Sequence, residues 1–225
     1  MVVHVKKAMP RCSDELVRRF REQAAATVHE VLGRRGALDC AIKPVAPGMK
    51  VCGRAITVAG HPADNLMLIK AVSMARENDV VVMNCGSIVH AGGFGEVLAT
   101  ECLARKMGGL VVSGSVRDRA ALARLGFPVF SAGVSIRGTA KATLGRINFP
   151  LAMGDVVVNP GDIVLGDDDG VVVVPLSEAE DVLAGAIARE QKEAAVMERL
   201  RAGESLFDIY GYQEVFDRLG CVEME

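Results

Sequence analysis

Apolar residues recur along this chain in two rhythms. Between residues 13 and 33, Leu16, Phe20, Ala24, Val28 and Val31 fall on one helical face, with Ser13 placed to cap the first turn and Gly33 and Gly36 to close the helix. Asp64 to Arg76 also reads as a helix, with Asp64 placed to cap it. Elsewhere the apolar residues come in short unbroken runs, Asp79-Val-Val-Val-Met-Asn84 and Gly109-Leu-Val-Val-Ser-Gly114, which predict strands buried on both faces. Lys50–Gly60 predicts another strand, and Arg119–Leu125 a short helix that feeds Gly126-Phe-Pro-Val-Phe130. From 147 onward the texture changes to short strands over 147–151, 155–158, 162–165 and 171–175, with Asn159-Pro-Gly and Asp167-Asp-Asp-Gly170 as turns between them. A charged helix over 177–202 follows, then Leu206-Phe-Asp-Ile-Tyr-Gly211 and a short final helix. Strands alternating with helices, without an internal repeat or linker, predict an α/β fold in a single domain spanning 1–225.

Composition narrows this picture. Half of the 225 residues are hydrophobic, only 4% are aromatic, and the formal charge is −2 with no dense Lys/Arg stripe, so nucleic acid is not an expected partner. The six cysteines are scattered without a C-x-x-C pair, which fits idle thiols in a reducing compartment. The N-terminus lacks a signal-peptide pattern, and no segment approaches the roughly 18 apolar residues of a membrane span. A cytoplasmic protein is the expectation.

The chemistry concentrates at Gly92-Gly-Phe-Gly-Glu-Val-Leu-Ala-Thr100 and Gly114-Ser-Val-Arg-Asp118. The glycines predict a tight turn that presents free amides at a helix start, a natural anion seat. Arg117-Asp118 follows a buried strand at the sheet edge where open α/β folds bind ligands. Asp118 is therefore either a hard-oxygen ligand for Mg²⁺ or Mn²⁺, which take few protein ligands, or half of an Arg–Asp pair capping the next helix. Glu96 either complements its helix dipole or serves the same crevice. His4, His29, His61 and His90 lack metal-ligand spacing, the Asp167–Asp169 run reads as a hairpin turn, and Glu190, Glu193 and Glu198 read as a solvated helix face. No Walker or dinucleotide pattern is present.

Several stretches together resemble one family: Ala25-Ala-Thr-Val-His-Glu30 with Gly33-Arg-Arg-Gly36, Ala63-Asp-Asn-Leu-Met67, Gly95-Glu-Val-Leu-Ala-Thr100, Gly114-Ser-Val-Arg-Asp118, Asp167-Asp-Asp-Gly-Val-Val-Val-Val-Pro175 and Leu206-Phe-Asp-Ile-Tyr-Gly211. They resemble the 4-hydroxy-4-methyl-2-oxoglutarate / 4-carboxy-4-hydroxy-2-oxoadipate aldolases, of the superfamily that includes the regulator of ribonuclease activity A. The most specific feature is an acidic residue, twenty intervening residues, then Arg-Asp, here Glu96 and Arg117-Asp118.

The resemblance implies an α/β/β/α sandwich and a class II pyruvate aldolase of the protocatechuate or gallate 4,5-cleavage routes, with oxaloacetate decarboxylation as a side activity. It makes Asp118 the direct ligand of Mg²⁺ or Mn²⁺, with Glu96 holding the metal's waters. Arg117 contacts the keto oxygen, and the backbone around Gly95, Glu96, Val97 and Leu98 holds the pyruvyl carboxylate. Glu193 would enter a neighbouring subunit's site through water, so the resemblance replaces its solvated-face reading and implies a homotrimer or homohexamer, with the helical arm of about 177–225 packing on a neighbour. The alternatives are a dedicated oxaloacetate or β-keto acid decarboxylase and a non-catalytic ring that binds a ribonuclease.

Overall fold

The computed structural model describes residues 2–86, 89–222 and 224; Met1 and Glu225, the ends of the expected domain, lie outside them. Two helices open the chain, α1 (Asp14–Arg21) and α2 (Ala25–Val31), followed by the short strand β1 (Lys43–Pro44). A regular series comes next: β2 (Val51–Ala59), α3 (Leu66–Met74), β3 (Asp79–Asn84), α4 (Glu96–Ala104), β4 (Gly109–Val116), α5 (Arg119–Leu125) and β5 (Val129–Val134). Five strands then alternate with turns: β6 (Arg146–Ile147), β7 (Leu151–Met153), β8 (Val156–Val158), β9 (Ile163–Asp167) and β10 (Gly170–Val174). The long helix α6 (Ala179–Arg201) precedes α7 (Leu206–Ile209) and α8 (Gln213–Leu219).

One continuous helix over 13–33 is not what forms. Ser13 does cap α1, its Oγ accepting the Leu16 amide at 3.1 Å, but the helix stops at Arg21 and Ala24 is extended (φ −83°, ψ 140°). The second helix restarts against Asp167, whose Oδ2 accepts the Ala25 amide at 2.8 Å. A cap supplied from 142 positions away leaves no local trace. The expected strand over 147–151 is likewise split, because Asn148 takes a left-handed conformation (φ 61°) and Pro150 follows it.

The parallel strands run in spatial order β5-β4-β3-β2, each joined to the next by one helix, and β9 and β10 extend the sheet antiparallel beyond β2. The sheet curls until its edges nearly meet. Lys43 Nζ, from β1, donates to the Asp169 carbonyl at 2.5 Å, and the Gly48 amide to Asp168 Oδ1 at 2.9 Å. The acidic run is thus the β9–β10 hairpin turn, each of its three residues held in a structural bond. Alternation along β9 divides the interior: Ile163 and Leu165 join Val17, Phe20, Val28 and Leu183 under α1, α2 and α6, whereas Val164 faces the second core with Leu68, Ala71, Ala99 and Leu122 of α3, α4 and α5. Helices therefore cover two sides of a nearly closed β-barrel, which satisfies the expected α/β/β/α layering. Burial pushes the thiols of Cys52 and Cys102 up to about 12, so neither is a thiolate at neutral pH. Among the described residues, no helix is long and apolar enough to cross a membrane.

Candidate active site

Because β3 and β4 are adjacent and parallel, the loops leaving their C-terminal ends meet. The β3–α4 loop docks by backbone: Gly93 N donates to Ser115 O at 3.0 Å, Gly92 N to Arg137 O at 2.9 Å, and Arg117 N to Phe94 O at 2.8 Å. Phe94, almost wholly buried and stacked on Phe127 at 6.0 Å, anchors the turn. Gly92 has to be glycine, since a Cβ there would meet Ser135 O at 2.3 Å and Arg117 Cβ at 2.8 Å.

Asp118 sits at the start of α5 in the left-handed region (φ 59°, ψ 35°), a conformation costly outside glycine and concentrated at functional sites. Its carboxylate does not cap α5. Instead Oδ2 accepts the Glu96 amide at 3.1 Å, so Asp118 faces the N-terminus of the neighbouring helix α4. Arg117 Nε lies 3.8 Å from the same oxygen, too far for a tight pair. Among the described residues Oδ1 makes no hydrogen bond. The first bond within α4 runs from Ala99 N to Gly95 O at 3.0 Å, which leaves the amides of Val97 and Leu98 unspent. Glu96 points from the exposed first turn, and Val97 is 82% exposed.

The edge therefore brings together one carboxylate, one guanidinium, two amides and a second carboxylate on an open shelf. Asp118 and Arg117 are 41% and 47% exposed, and a cavity of about 390 Å³ between Arg35 and Val157 contains neither. Among the described residues, no three His, Cys, Asp or Glu side chains converge, so a cation here would rest on Asp118 with solvent completing its shell. Glu193 is not part of this cluster. It lies on α6, on the barrel side covered by α1 and α2, with Oε1 2.8 Å from Arg189 Nε.

A strap over 135–143, without hydrophobic periodicity and so invisible to pattern reading, closes one flank of the shelf. Asp64, two residues ahead of α3, is its fastener: its carboxylate accepts amides from Leu66 (2.9 Å), Ala142 (2.7 Å) and Thr143 (2.9 Å). Asn65 Nδ2 donates to Gly93 O at 2.8 Å, linking the strap region to the glycine turn. Burial alone would raise the Asp64 pKa, but the amides of Ala142, Leu66 and Thr143 outweigh it and hold the group below its ordinary value. A depressed folded-state pKa stabilises the fold above the unfolded value of about 3.9, and that contribution fades as pH falls below it. Asp64→Asn, which turns a donor towards two donors, is expected to lower stability at pH 7 by about 1–3 kcal/mol. Urea unfolding at pH 7 and at pH values below about 4 checks this, because the gap between the two proteins should narrow in acid.

This fold and edge define a barrel-like α/β protein with a carboxylate–arginine shelf at a helix N-terminus, and comparison with known proteins gives it a family. Residues 12–173 match the family model described as Aldolase/RraA, and the chain belongs to this RraA-like family. A Halalkalibacterium halodurans protein provisionally named 4-hydroxy-4-methyl-2-oxoglutarate aldolase is 31% identical over 198 residues, covering 86% of this chain and 94% of its own length. Among solved structures, an uncharacterized protein of Pseudomonas syringae superposes with a TM-score of 0.81 at 25% identity, covering 89% of this chain and 95% of that one. Streptomyces coelicolor RraAS2, titled an unusual member of the RNase ES inhibitor RraA family, gives 0.76 at 29% identity, covering 84% and 99%.

Proposed function

We propose that this protein is a divalent-metal-dependent pyruvate aldolase that cleaves 4-carboxy-4-hydroxy-2-oxoadipate, 4-hydroxy-4-methyl-2-oxoglutarate or both, and that decarboxylates oxaloacetate at the same site. The observation carrying this reading is the Asp118 carboxylate, held in a left-handed conformation against the first amide of α4 beside Arg117. The likeness to the Halalkalibacterium protein supports the reaction class. Asp118 would hold Mg²⁺ or Mn²⁺ directly, with Glu96 reaching the ion through water. A hard cation suits one half-exposed carboxylate with a free oxygen, and when bound it supplies Lewis acidity to a keto oxygen.

The chain's own groups account for the remaining work. The unspent Val97 and Leu98 amides, at the positive end of α4, bind the substrate carboxylate. Arg117 donates towards the keto oxygen, where charge develops as the C3–C4 bond breaks and its electrons enter the pyruvate enolate. The 4-hydroxyl loses its proton through water to the solvent-facing Glu96 carboxylate, leaving a carbonyl on the departing fragment, and C3 is then protonated to give pyruvate. Loss of CO₂ from oxaloacetate yields the same enolate, so one arrangement serves both reactions.

The open shelf implies a partner. Beyond Ala186 nothing on α6 is buried, and Met197, Leu206, Tyr210 and Leu219 are 47%, 46%, 49% and 76% exposed along the arm. We read this arm as packing on a second copy in a homotrimer or homohexamer, bringing Glu193 to the neighbour's shelf. Glu193→Ala is then expected to lower turnover about tenfold, one hydrogen-bonded contact's worth, with unchanged circular dichroism. Unchanged turnover would leave Glu193 a surface residue.

Pyruvate release coupled to lactate dehydrogenase, on both hydroxy-oxo acids and oxaloacetate, with and without Mg²⁺ after chelation, tests the assignment. Metal-dependent release fastest from a hydroxy-oxo acid is the expected result. Activity on oxaloacetate alone would make the protein a dedicated decarboxylase. Likeness to RraAS2 supports one further reading, a ring that binds a ribonuclease. Silence on all three substrates together with ribonuclease binding would establish it.

A further inference from the structure

Asn65 occupies the N-cap position of α3 and does not act as a cap. Asparagine is favoured there because its side-chain oxygen ordinarily accepts an amide of the first turn. The Asn65 side chain makes no such bond, and Asp64 takes the Leu66 amide instead. Asn65 turns the other way. Its Nδ2 donates to Gly93 O at 2.8 Å, the one side-chain hydrogen bond made to residues 92–95 among the described residues. Only a donor can face a carbonyl, so this bond fixes the amide's orientation and leaves Oδ1 as the acceptor. That Oδ1 is buried without a partner, a rare state for a native polar atom and a cost to stability. The backbone holds the residue in this pose. Ala63 takes a left-handed conformation (φ 56°), costly outside glycine. The strap residue Ala140 then grips both sides of the segment, its amide donating to Ala63 O at 2.8 Å and its carbonyl accepting Asn65 N at 3.1 Å.

We propose that Asn65 is a positioning residue of the shelf: its bond to Gly93 O sets the glycine turn, and through the turn the α4 amides that receive the substrate carboxylate. A forgone cap, an orphaned acceptor and a left-handed alanine are three local costs, and the bond they leave in place is the one to Gly93. The path from it is short. Gly93 lies two residues before Gly95, the N-cap of α4, so the turn sets where the amides of Val97 and Leu98 point. The other bonds to the turn, at Gly92 N, Gly93 N and Phe94 O, join backbone to backbone. Arg117 and Asp118 follow β4 and keep that strand's support, so substrate binding rather than the chemical step carries the effect. The inference rests on the aldolase reading for the identity of the bound carboxylate, whereas the setting of the turn is independent of it.

Two substitutions separate positioning from capping. Asn65→Ser restores a good cap for α3, but its hydroxyl is one bond too short to reach Gly93. Asn65→Leu keeps a side chain of similar shape and removes both the donor and the orphaned acceptor. In both variants, pyruvate release should show KM raised about tenfold with kcat within about twofold of wild type, the pattern of lost ground-state binding. Hydrogen exchange on the substrate-free, metal-free protein should be about tenfold faster at the amides of Gly92, Gly93 and Arg117, which bond to or within the turn, and unchanged along α3. Thermal midpoints should stay within about 3 °C of wild type. Exchange reads the turn without any reaction, so it decides the role of Asn65 even for a wild-type protein that releases no pyruvate, an outcome that would remove the aldolase reading alone. Unchanged exchange at the turn in both variants would overturn the proposal. So would an unaltered KM in an active enzyme, or an Asn65→Ser protein that behaves as wild type while Asn65→Leu loses stability and exchanges faster along α3, which would make Asn65 a helix cap.

Discussion

Replacing Asp118 with asparagine is expected to remove metal-dependent pyruvate release almost entirely, by about a thousandfold or more. Lewis-acid stabilisation of an enolate is worth several kcal/mol, and each 1.36 kcal/mol is about tenfold in rate. The substitution is chosen to spare the fold. Asparagine tolerates the left-handed backbone of residue 118 nearly as well as aspartate, and its amide oxygen can still accept the Glu96 N–H now held at 3.1 Å. What it loses is the negative charge and the hard anionic oxygen. Steady-state kinetics across a Mg²⁺ and Mn²⁺ titration, with thermal unfolding alongside, would show a collapsed rate at an unchanged midpoint. An Asp118→Asn protein that kept activity within about tenfold of wild type would remove Asp118 from the mechanism.

Gly95→Ala should be nearly as damaging although it adds a single methyl group. A Cβ at Gly95 would stand 2.3 Å from Asp118 Oδ2 and 3.0 Å from Arg117 Cγ, so the carboxylate has to swing away from α4. Gly95 is extended (φ −159°), a conformation alanine adopts freely, which makes the effect steric and local. Displacement of a positioned group by about 1 Å costs on the order of a hundredfold in rate. Gly93→Ala is the matched control: nothing lies closer than 3.8 Å to its Cβ, and activity should stay near wild type. Equal kinetics for the two variants would mean that the position of the Asp118 carboxylate is unimportant.

Hydrophobic patterning located the strands that carry the site, because β3 and β4 are buried on both faces and each stands between glycine or polar breaks. It also located α5, whose seven residues are bounded by Asp118 and Gly126. Patterning could not show that Asp118 turns to α4 instead of its own helix, since that contact joins residues 22 apart through a left-handed backbone. Asp64 read as a helix cap from local sequence, but Asn65 holds that position; Asp64 accepts the Leu66 amide from one residue further out, and its two longer-range bonds go to a strap with no periodicity. Glu193 shows the limit in the other direction. Its helical neighbours describe a solvated face, the isolated chain keeps it away from Asp118, and only the family resemblance suggests another role.

The junction of β2 with β9 has a consequence for how the chain is made. Val51 is paired with Gly166, far along the chain, while the β2–β3–β4–β5 series uses only neighbouring strands. During synthesis the parallel half of the barrel can assemble early, but one edge of β2 stays uncovered until the β9–β10 hairpin emerges. Closing so large a loop slows folding, and an unpaired strand edge is open to pairing with other chains. The nascent protein therefore passes through a stage in which its most buried strand is its most adhesive surface, and rapid completion of translation shortens that exposure.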